Sequence, residues 1–198
     1  MQLYYAPMAC SLAARITAAE AGHALEFRRI DLATKAVAGG GDLHAVNPMG
    51  QVPTLVLDDG RVLTEAIAVM LYLWGRSDPQ VVRWLAFVAT ELHKRVCLPI
   101  FAYDSPPAIR DWGRAGAARP LGYLDAHLAD RACLTGDEFT PADAYAVWAL
   151  SILPFGHVPL PANLAAYCAR HQERRSVAAA FALERAEYMA KASATGAS

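Results

Sequence analysis

Residues 47–65, Asn-Pro-Met-Gly-Gln-Val-Pro-Thr-Leu-Val-Leu-Asp-Asp-Gly-Arg-Val-Leu-Thr-Glu, constrain this chain more than any other stretch, because their punctuation requires a loop, a strand, a tight turn, a second strand and a helix start in quick succession. Residues 54–57 are a short β-rich run, Asp58-Asp59-Gly60 is a hairpin signal, and residues 61–63 return as the partner strand. Pro53 stands at the strand entrance, where a missing N–H is tolerated, and Val52-Pro53 is a candidate cis bond that would turn the Val52 backbone outward. An outward-facing N–H and C=O beside a sheet can pair with an extended peptide, so the stretch predicts one slot for a small peptide.

Thr64 reads as a helix N-cap and residues 65–74 as the helix, with Ile67, Met70, Leu71 and Trp74 on one buried face. Glu65 then lies in a first helical turn. Its carboxylate there can receive an amine, while the N–H groups around Ala66 receive a ligand carboxylate. The alternative at this point is a Glu65 that only complements the helix dipole.

Upstream, residues 3–5 form a strand fragment, 6–9 a turn, and 10–21 a helical stretch with Leu12, Ile16 and Ala19 on one face, closed by Gly22. Cys10 therefore sits at a strand-to-helix junction, where unpaired N–H groups and the helix dipole favour a thiolate. A capping-region cysteine of ordinary reactivity fits the same position. Residues 25–30 read as a second strand, and residues 33–42, with Lys35 and three successive glycines, as a mobile loop in which a lysine is by default solvated. The order is β-α-β-loop-β-β-α, a βαβ unit followed by a hairpin.

The second half differs in kind. Gly75-Arg76-Ser77-Asp78-Pro79 is the plausible linker, and beyond it the pattern is helical, with a seam of Val81, Leu85, Val88 and Leu92 running to about residue 102 and a separate face carrying Ala86, Thr90, His93 and Cys97. Thr140-Pro141-Ala142-Asp143 is a strong helix start, its helix at 142–155 is apolar almost all round, and Asp143 reads as a structural cap. Helices at 108–129, 163–170 and 176–191 complete the pattern. At 198 residues and 55% hydrophobic content the chain can bury a full core. Its 18 basic and 19 acidic residues nearly cancel, which predicts neither a nucleic-acid nor an anionic-membrane partner. No apolar run reaches membrane-spanning length and no signal peptide is visible, so a cytoplasmic protein is expected. The 4 cysteines, Cys10, Cys97, Cys133 and Cys168, form no C-x-x-C pair, which argues against a zinc site or a disulfide framework, and no metal is expected.

Six ordered segments carry a resemblance: Tyr4-Tyr5-Ala6-Pro7-Met8-Ala9-Cys10-Ser11-Leu12, Asp31-Leu32-Ala33-Thr34-Lys35, Asn47-Pro48-Met49-Gly50-Gln51-Val52-Pro53, Leu63-Thr64-Glu65, Glu91-Leu92-His93-Lys94 and Phe139-Thr140-Pro141-Ala142-Asp143. In this order and spacing the chain resembles a glutathione transferase, in particular the bacterial cysteine-containing (beta) class. The resemblance implies an α/β thioredoxin-like N-terminal domain (residues 1–75), an all-α C-terminal domain (residues 76–198), and a homodimer acting in detoxification. Glutathione would be the co-substrate and a small hydrophobic electrophile the second substrate. It also implies roles. Val52 and Pro53 present backbone to the cysteinyl part of glutathione, Gln51 neighbours its γ-glutamyl end, and Glu65 with the Ala66 N–H holds that end. Lys35 lies near the glycyl carboxylate, Cys10 near the glutathione sulfur, and His93 with Lys94 faces it from the second domain.

The chain departs from relatives at Ala66, where many have serine, at Ala86, where close ones have asparagine, and at Met8 and Met49, in place of glycine and lysine. Cys10 is the first candidate for activating or exchanging the thiol, Tyr5 the second and Ser11 the third, with His93 as an assisting donor. Two other functions use the same fold: a non-enzymatic binding or regulatory dimer, and a glutathione-dependent isomerase or dehalogenase.

Overall fold

The computed structural model describes residues 1–195. The chain divides into two compact units, Met1–Arg76 with Arg175–Ser198, and Ser77–Arg174.

The first unit is built on strands β1 (Gln2–Tyr5), β2 (Glu26–Arg29), β3 (Thr54–Val56) and β4 (Val62–Leu63), with helix α1 (Ser11–Glu20) between the first two and α2 (Ala66–Trp74) after the last. The strand order is β2-β1-β3-β4; β1 and β2 are parallel, and β3 runs antiparallel to both β1 and β4. This is the thioredoxin-like arrangement. Register does the positioning: Tyr5 lies opposite Arg29, Tyr4 opposite Thr54, and Leu55 opposite Leu63. The ends of β1, β2 and β4 and the start of β3 therefore meet along one edge of the sheet. The β3–β4 hairpin closes as its residues require, with Gly60 at φ +84° and Asp59 accepting the Arg61 N–H at 3.0 Å.

Leu3, Leu12, Ile16, Leu55, Val69, Met70 and Leu73 are fully buried and form the centre of this unit. The buried residues of α2 are Val69, Met70 and Leu73, so its inner face is turned relative to the expected Ile67, Met70, Leu71 and Trp74. The helix also begins one residue late: Glu65, not Thr64, is the N-cap. The segment 33–42, expected to be mobile, is pinned. Asp31 accepts the N–H groups of Ala33 and Thr34 at 2.8 and 3.0 Å, and bridges join Ile30 to Val37 and Ala36 to Asp42. An aspartate two residues before a turn supplies this bonding without any hydrophobic periodicity.

The last helix, α9 (Arg175–Thr195), groups with this first unit. Its Glu184 pairs with Arg15 of α1 at 2.8 Å, and its Glu187 accepts the Tyr5 hydroxyl of β1. Among the described residues every regular element after Gly75 is a helix; by packing, α9 lies with β1 and α1.

The second unit opens with one long rod: α3 (Pro79–Phe87), a π-helical stretch Val88–Cys97, and α4 (Leu98–Phe101). The expected face of Ala86, Thr90, His93 and Cys97 holds only in its second half: Ala86 and Thr90 are exposed, while His93 and Cys97 both meet the helix at Pro141–Ile152. In i→i+5 bonding each turn is wider, so a spacing counted on the α-helical period loses register. Helices α5 (Pro107–Gly116) and α6 (Ala118–His127) follow, then α7 (Pro141–Ile152) and α8 (Ala162–Gln172). Every residue of α7 from Pro141 to Leu150 is buried, and the Thr140–Asp143 capping box is formed. This unit has no β-strand among the described residues, and among the described residues of the chain no helix is long and apolar enough to cross a membrane.

Candidate functional site

The sheet edge described above gathers four short segments of the first unit. Cys10 is the N-cap of α1, half-buried, and its sulfur donates to the Val52 carbonyl at 3.2 Å. The turn that delivers it is wound tightly, with Ala9 N–H bonded to Ala6 C=O at 3.1 Å and Leu12 N–H to Ala9 C=O at 2.9 Å. Ser11 is consumed by this turn. It is wholly buried, its hydroxyl lying 3.2 Å from the Ala6 nitrogen and 3.3 Å from the Ala6 oxygen. Met8 occupies the left-handed region at φ +63°, a conformation that favours glycine, and its N–H is held by Glu184 at 2.9 Å.

Val52 and Pro53 are joined by a cis peptide bond. The loop before them depends on Asn47, which is 3% exposed. Its amide donates to the Gln51 carbonyl at 3.0 Å and to the Thr54 hydroxyl at 2.9 Å, while its side-chain oxygen accepts the Met49 N–H at 3.1 Å. Thr54 in turn donates to the Gln51 carbonyl at 2.8 Å. Gln51 thus has a fixed backbone and an exposed side chain. Gly50 is favoured by position: its φ is +58°, in the left-handed region, and a Cβ there would push aside the exposed ring of His44.

Glu65 has φ +69° and ψ +124°, an unusual backbone for a non-glycine residue, and carries an exposed carboxylate with no hydrogen-bond or ion-pair partner among the described residues. Backbone strain of this kind costs on the order of 1 to 3 kcal/mol and concentrates at ligand clamps. The first intrahelical bond of α2 runs from Val69 N–H to the Glu65 carbonyl at 3.0 Å, so the N–H groups of Ala66, Ile67 and Ala68 have no acceptor within the helix. Lys35 also has positive φ, +62°, with its backbone bonded to Asp31 and Leu43; its ammonium has no carboxylate partner among the described residues. Neighbouring Asp31 is paired with Lys191 at 2.6 Å, which, with two backbone N–H bonds, holds its carboxyl well below the usual carboxylate range.

Cys10, Val52 and Pro53 are thus brought together, with Lys35, Gln51, Glu65 and Ala66 on segments that leave the same sheet edge. Tyr5 is directed elsewhere. Its hydroxyl donates to both oxygens of Glu187 at 2.9 and 3.0 Å, and burial, reinforced by that carboxylate, pushes its pKa up to about 12. His93 and Lys94 belong to the second unit. His93 Nδ1 lies 2.6 Å from the Tyr145 hydroxyl and the ring stands edge-on to Trp148 at 5.0 Å. Burial, with a smaller contribution from Lys94, pushes the imidazole pKa down to about 4. The Lys94 side chain is exposed.

In the same unit Cys133, Asp143 and His171 are buried with their ligand atoms within 4.8 Å of one another. Their chemistry is that of a hydrogen-bonded core. Asp143 accepts from Leu134 N–H at 2.8 Å, from Thr140 N–H and hydroxyl at 2.9 Å, and from the Tyr167 hydroxyl at 2.8 Å. His171 Nε2 lies 2.9 Å from the Ala132 carbonyl, to which it donates, and burial pushes the Cys133 thiol up to about 12.

Two residues to which sequence reasoning gave no role shape the site: Asn47, which opens the 47–65 stretch, and Glu184. An Asn three residues before a Gly-Gln-Val-Pro run is a local signal for the first. Nothing local marks the second.

The family model described as Glutathione S-transferase, N-terminal domain, matches residues 7–74. Glutathione S-transferase GstA of Escherichia coli O157:H7 is 40% identical over 158 residues, covering 73% of this chain and 78% of that protein. The solved ternary complex of BphK, a bacterial GST, superposes with a TM-score of 0.88 at 34% identity, covering 93% of this chain and 99% of that one. A bacterial beta-class glutathione S-transferase of Sphingomonas chungbukensis gives 0.85 at 35% identity, covering 93% and 98%. A sphingomonad glutathione S-transferase complexed with glutathione gives 0.86 at 31% identity, again covering 93% and 98%. On this identity and coverage, the chain belongs to the glutathione S-transferase family, with bacterial beta-class enzymes among its structural neighbours.

Proposed function

We propose that this glutathione transferase works from Cys10, on glutathione held along the sheet edge. The observation that carries the reading is the 3.2 Å contact between the Cys10 sulfur and the Val52 carbonyl, which brings a helix-N-terminal thiol to the backbone that an extended peptide would pair with. The Val52 and Pro53 backbone takes the cysteinyl residue of glutathione, and the carboxylate of Glu65 takes the γ-glutamyl amine. The Ala66 N–H takes the γ-glutamyl carboxylate, with Gln51 beside it, and Lys35 takes the glycyl carboxylate. Each ligand charge thereby meets an opposite charge or a free donor. Two steps are open to such a site. In conjugation, Cys10 donates a hydrogen bond to the glutathione thiolate, which attacks the electrophile: a sulfur–carbon bond forms and the leaving group departs with its electron pair. In exchange, the Cys10 thiolate attacks glutathione disulfide: one sulfur–sulfur bond forms, another breaks, and one glutathione leaves as its thiolate.

Tyr5 is not the activator in this scheme, because its hydroxyl is bonded to Glu187 and its pKa is raised. In the second unit His93 is a neutral hydrogen-bonding ring paired with Tyr145. The family likeness supports reading the protein as a cytoplasmic homodimer that detoxifies small hydrophobic electrophiles. Calorimetry with glutathione on wild type and Glu65→Ala, together with mass spectrometry after incubation with oxidised glutathione, tests the scheme. A glutathione adduct on Cys10 and weaker binding in the variant are expected. Equal affinity in both proteins, or full activity in Cys10→Ala, refutes it, and binding without turnover would favour the non-enzymatic dimer.

A further inference from the structure

Glu184 is the most deeply buried carboxylate near Cys10, and both its oxygens are engaged. It is 0% exposed; one oxygen accepts the Met8 N–H at 2.9 Å and the other the Arg15 Nε–H at 2.8 Å. Arg15, itself 7% exposed, lies with its guanidinium 4.4 Å from the Tyr5 ring centre and 3.7 Å from that of Phe27, and one of its buried NH2 groups has no hydrogen-bond partner. A buried ion pair with an unmet donor is a poor way to stabilise a core, and apolar residues of the same shape often do as well. What apolar residues could not do is hold Met8. That N–H belongs to a residue at φ +63°, two positions before Cys10, in the turn that sets the sulfur 3.2 Å from the Val52 carbonyl.

We propose that Glu184 is a positioning residue for Cys10: from the last helix its carboxylate clamps the strained Met8 turn to α1 and so keeps the thiol on the peptide slot. The inference rests on Cys10 being the reacting thiol, as proposed above. It adds a condition. The ionised carboxylate accepts from both Met8 and Arg15 with its full charge; a proton removes that charge, puts an O–H donor on one oxygen and weakens both bonds. The charged and titratable groups facing Glu184 are Arg15 on α1, Glu187 on α9 and Tyr5 on β1, and burial with the Glu187 charge, partly offset by Arg15 and the Met8 N–H, raises its pKa to about 7. The clamp therefore weakens as pH falls through neutrality.

The test is the pH profile of Cys10 alkylation by iodoacetamide, localised by mass spectrometry, in wild type, Glu184→Gln and Glu187→Gln, with glutathione affinity measured alongside. Wild type is expected to show a break near pH 7 beyond the titration of the thiol itself. Glu184→Gln should lose that break and change the Cys10 rate at pH 8 about tenfold, below the roughly hundredfold that a misplacement of about 1 Å can bring. Its glutathione affinity should stay within about twofold, because the γ-glutamyl and glycyl contacts lie on other segments. Glu187→Gln should move the break to lower pH by removing a neighbouring negative charge, and it decides the matter if Glu184→Gln does not fold. A Glu184→Gln profile superimposing on wild type, or an unmoved break in Glu187→Gln, overturns the proposal. A Cys10→Ala protein with full transferase activity would instead sink the Cys10 reading while leaving the clamp intact.

Discussion

Asn47 holds the whole approach to β3 with one side chain, and its removal is the most direct test of how the peptide slot is built. In Asn47→Ala the Gln51 carbonyl, the Thr54 hydroxyl and the Met49 N–H each lose a buried partner. The expected cost is about 2 to 3 kcal/mol, read as a lower urea midpoint at unchanged slope, with glutathione affinity falling further than stability. His93 carries a different expectation. Its folded-state pKa of about 4 lies below the ordinary 6.5, so between those values the unfolded chain binds a proton that the folded chain does not. The stability it contributes is complete above about pH 6.5 and is lost as pH falls toward 4. His93→Phe should flatten that part of the stability curve, and NMR titration of the ring in wild type should show it still mainly neutral at pH 5. At neutral pH the ring is thus a hydrogen-bonding partner and not a cation.

At the scale of elements, α7 shows what one capping residue can hold. Asp143→Ala would leave Leu134 N–H, Thr140 N–H and the Tyr167 hydroxyl without an acceptor inside the most buried helix of the second unit. A loss of roughly 3 to 5 kcal/mol is expected, seen as a lowered melting temperature, with Thr140→Ala milder because the aspartate keeps its other donors. That helix was legible from Thr140-Pro141-Ala142-Asp143 alone, and so was the β3–β4 hairpin from Asp58-Asp59-Gly60, since both signals act within four residues. The π-helical stretch was not, because apolar spacing is read on an α-helical period; of the expected face His93 and Cys97 both meet α7, while Ala86 and Thr90 are exposed. Within the site, Cys10, Val52 and Pro53 could be read from punctuation. Tyr5 could be named but not oriented, because the carboxylate that takes its hydroxyl lies 182 positions away on α9. Glu184 escaped for the same reason, its partners Met8 and Arg15 being 176 and 169 positions distant.

For the whole molecule, the same long-range pairs decide which parts of the chain should respond together to glutathione. A ligand that binds the folded protein alone, at about 100 times its Kd, stabilises by about 2.7 kcal/mol. That gain reaches only amides whose opening releases the ligand. If α9 is a working part of the first unit, as Glu184 on Met8 and Glu187 on Tyr5 indicate, its exchange should slow together with that of Val52 and the Ala66 end of α2. The buried helix α7, in the other unit, should change little. If residues 76–198 open as one body, α9 should instead follow α7. Hydrogen exchange with and without saturating glutathione separates the two divisions of the chain: slowing in α9 without α7 supports the packing seen here, while equal responses in α7 and α9 would return the last helix to the helical domain. Glu184→Gln sharpens the comparison, since loosening Met8 should uncouple α9 from the ligand and leave its exchange indifferent to glutathione while Ala66 stays protected.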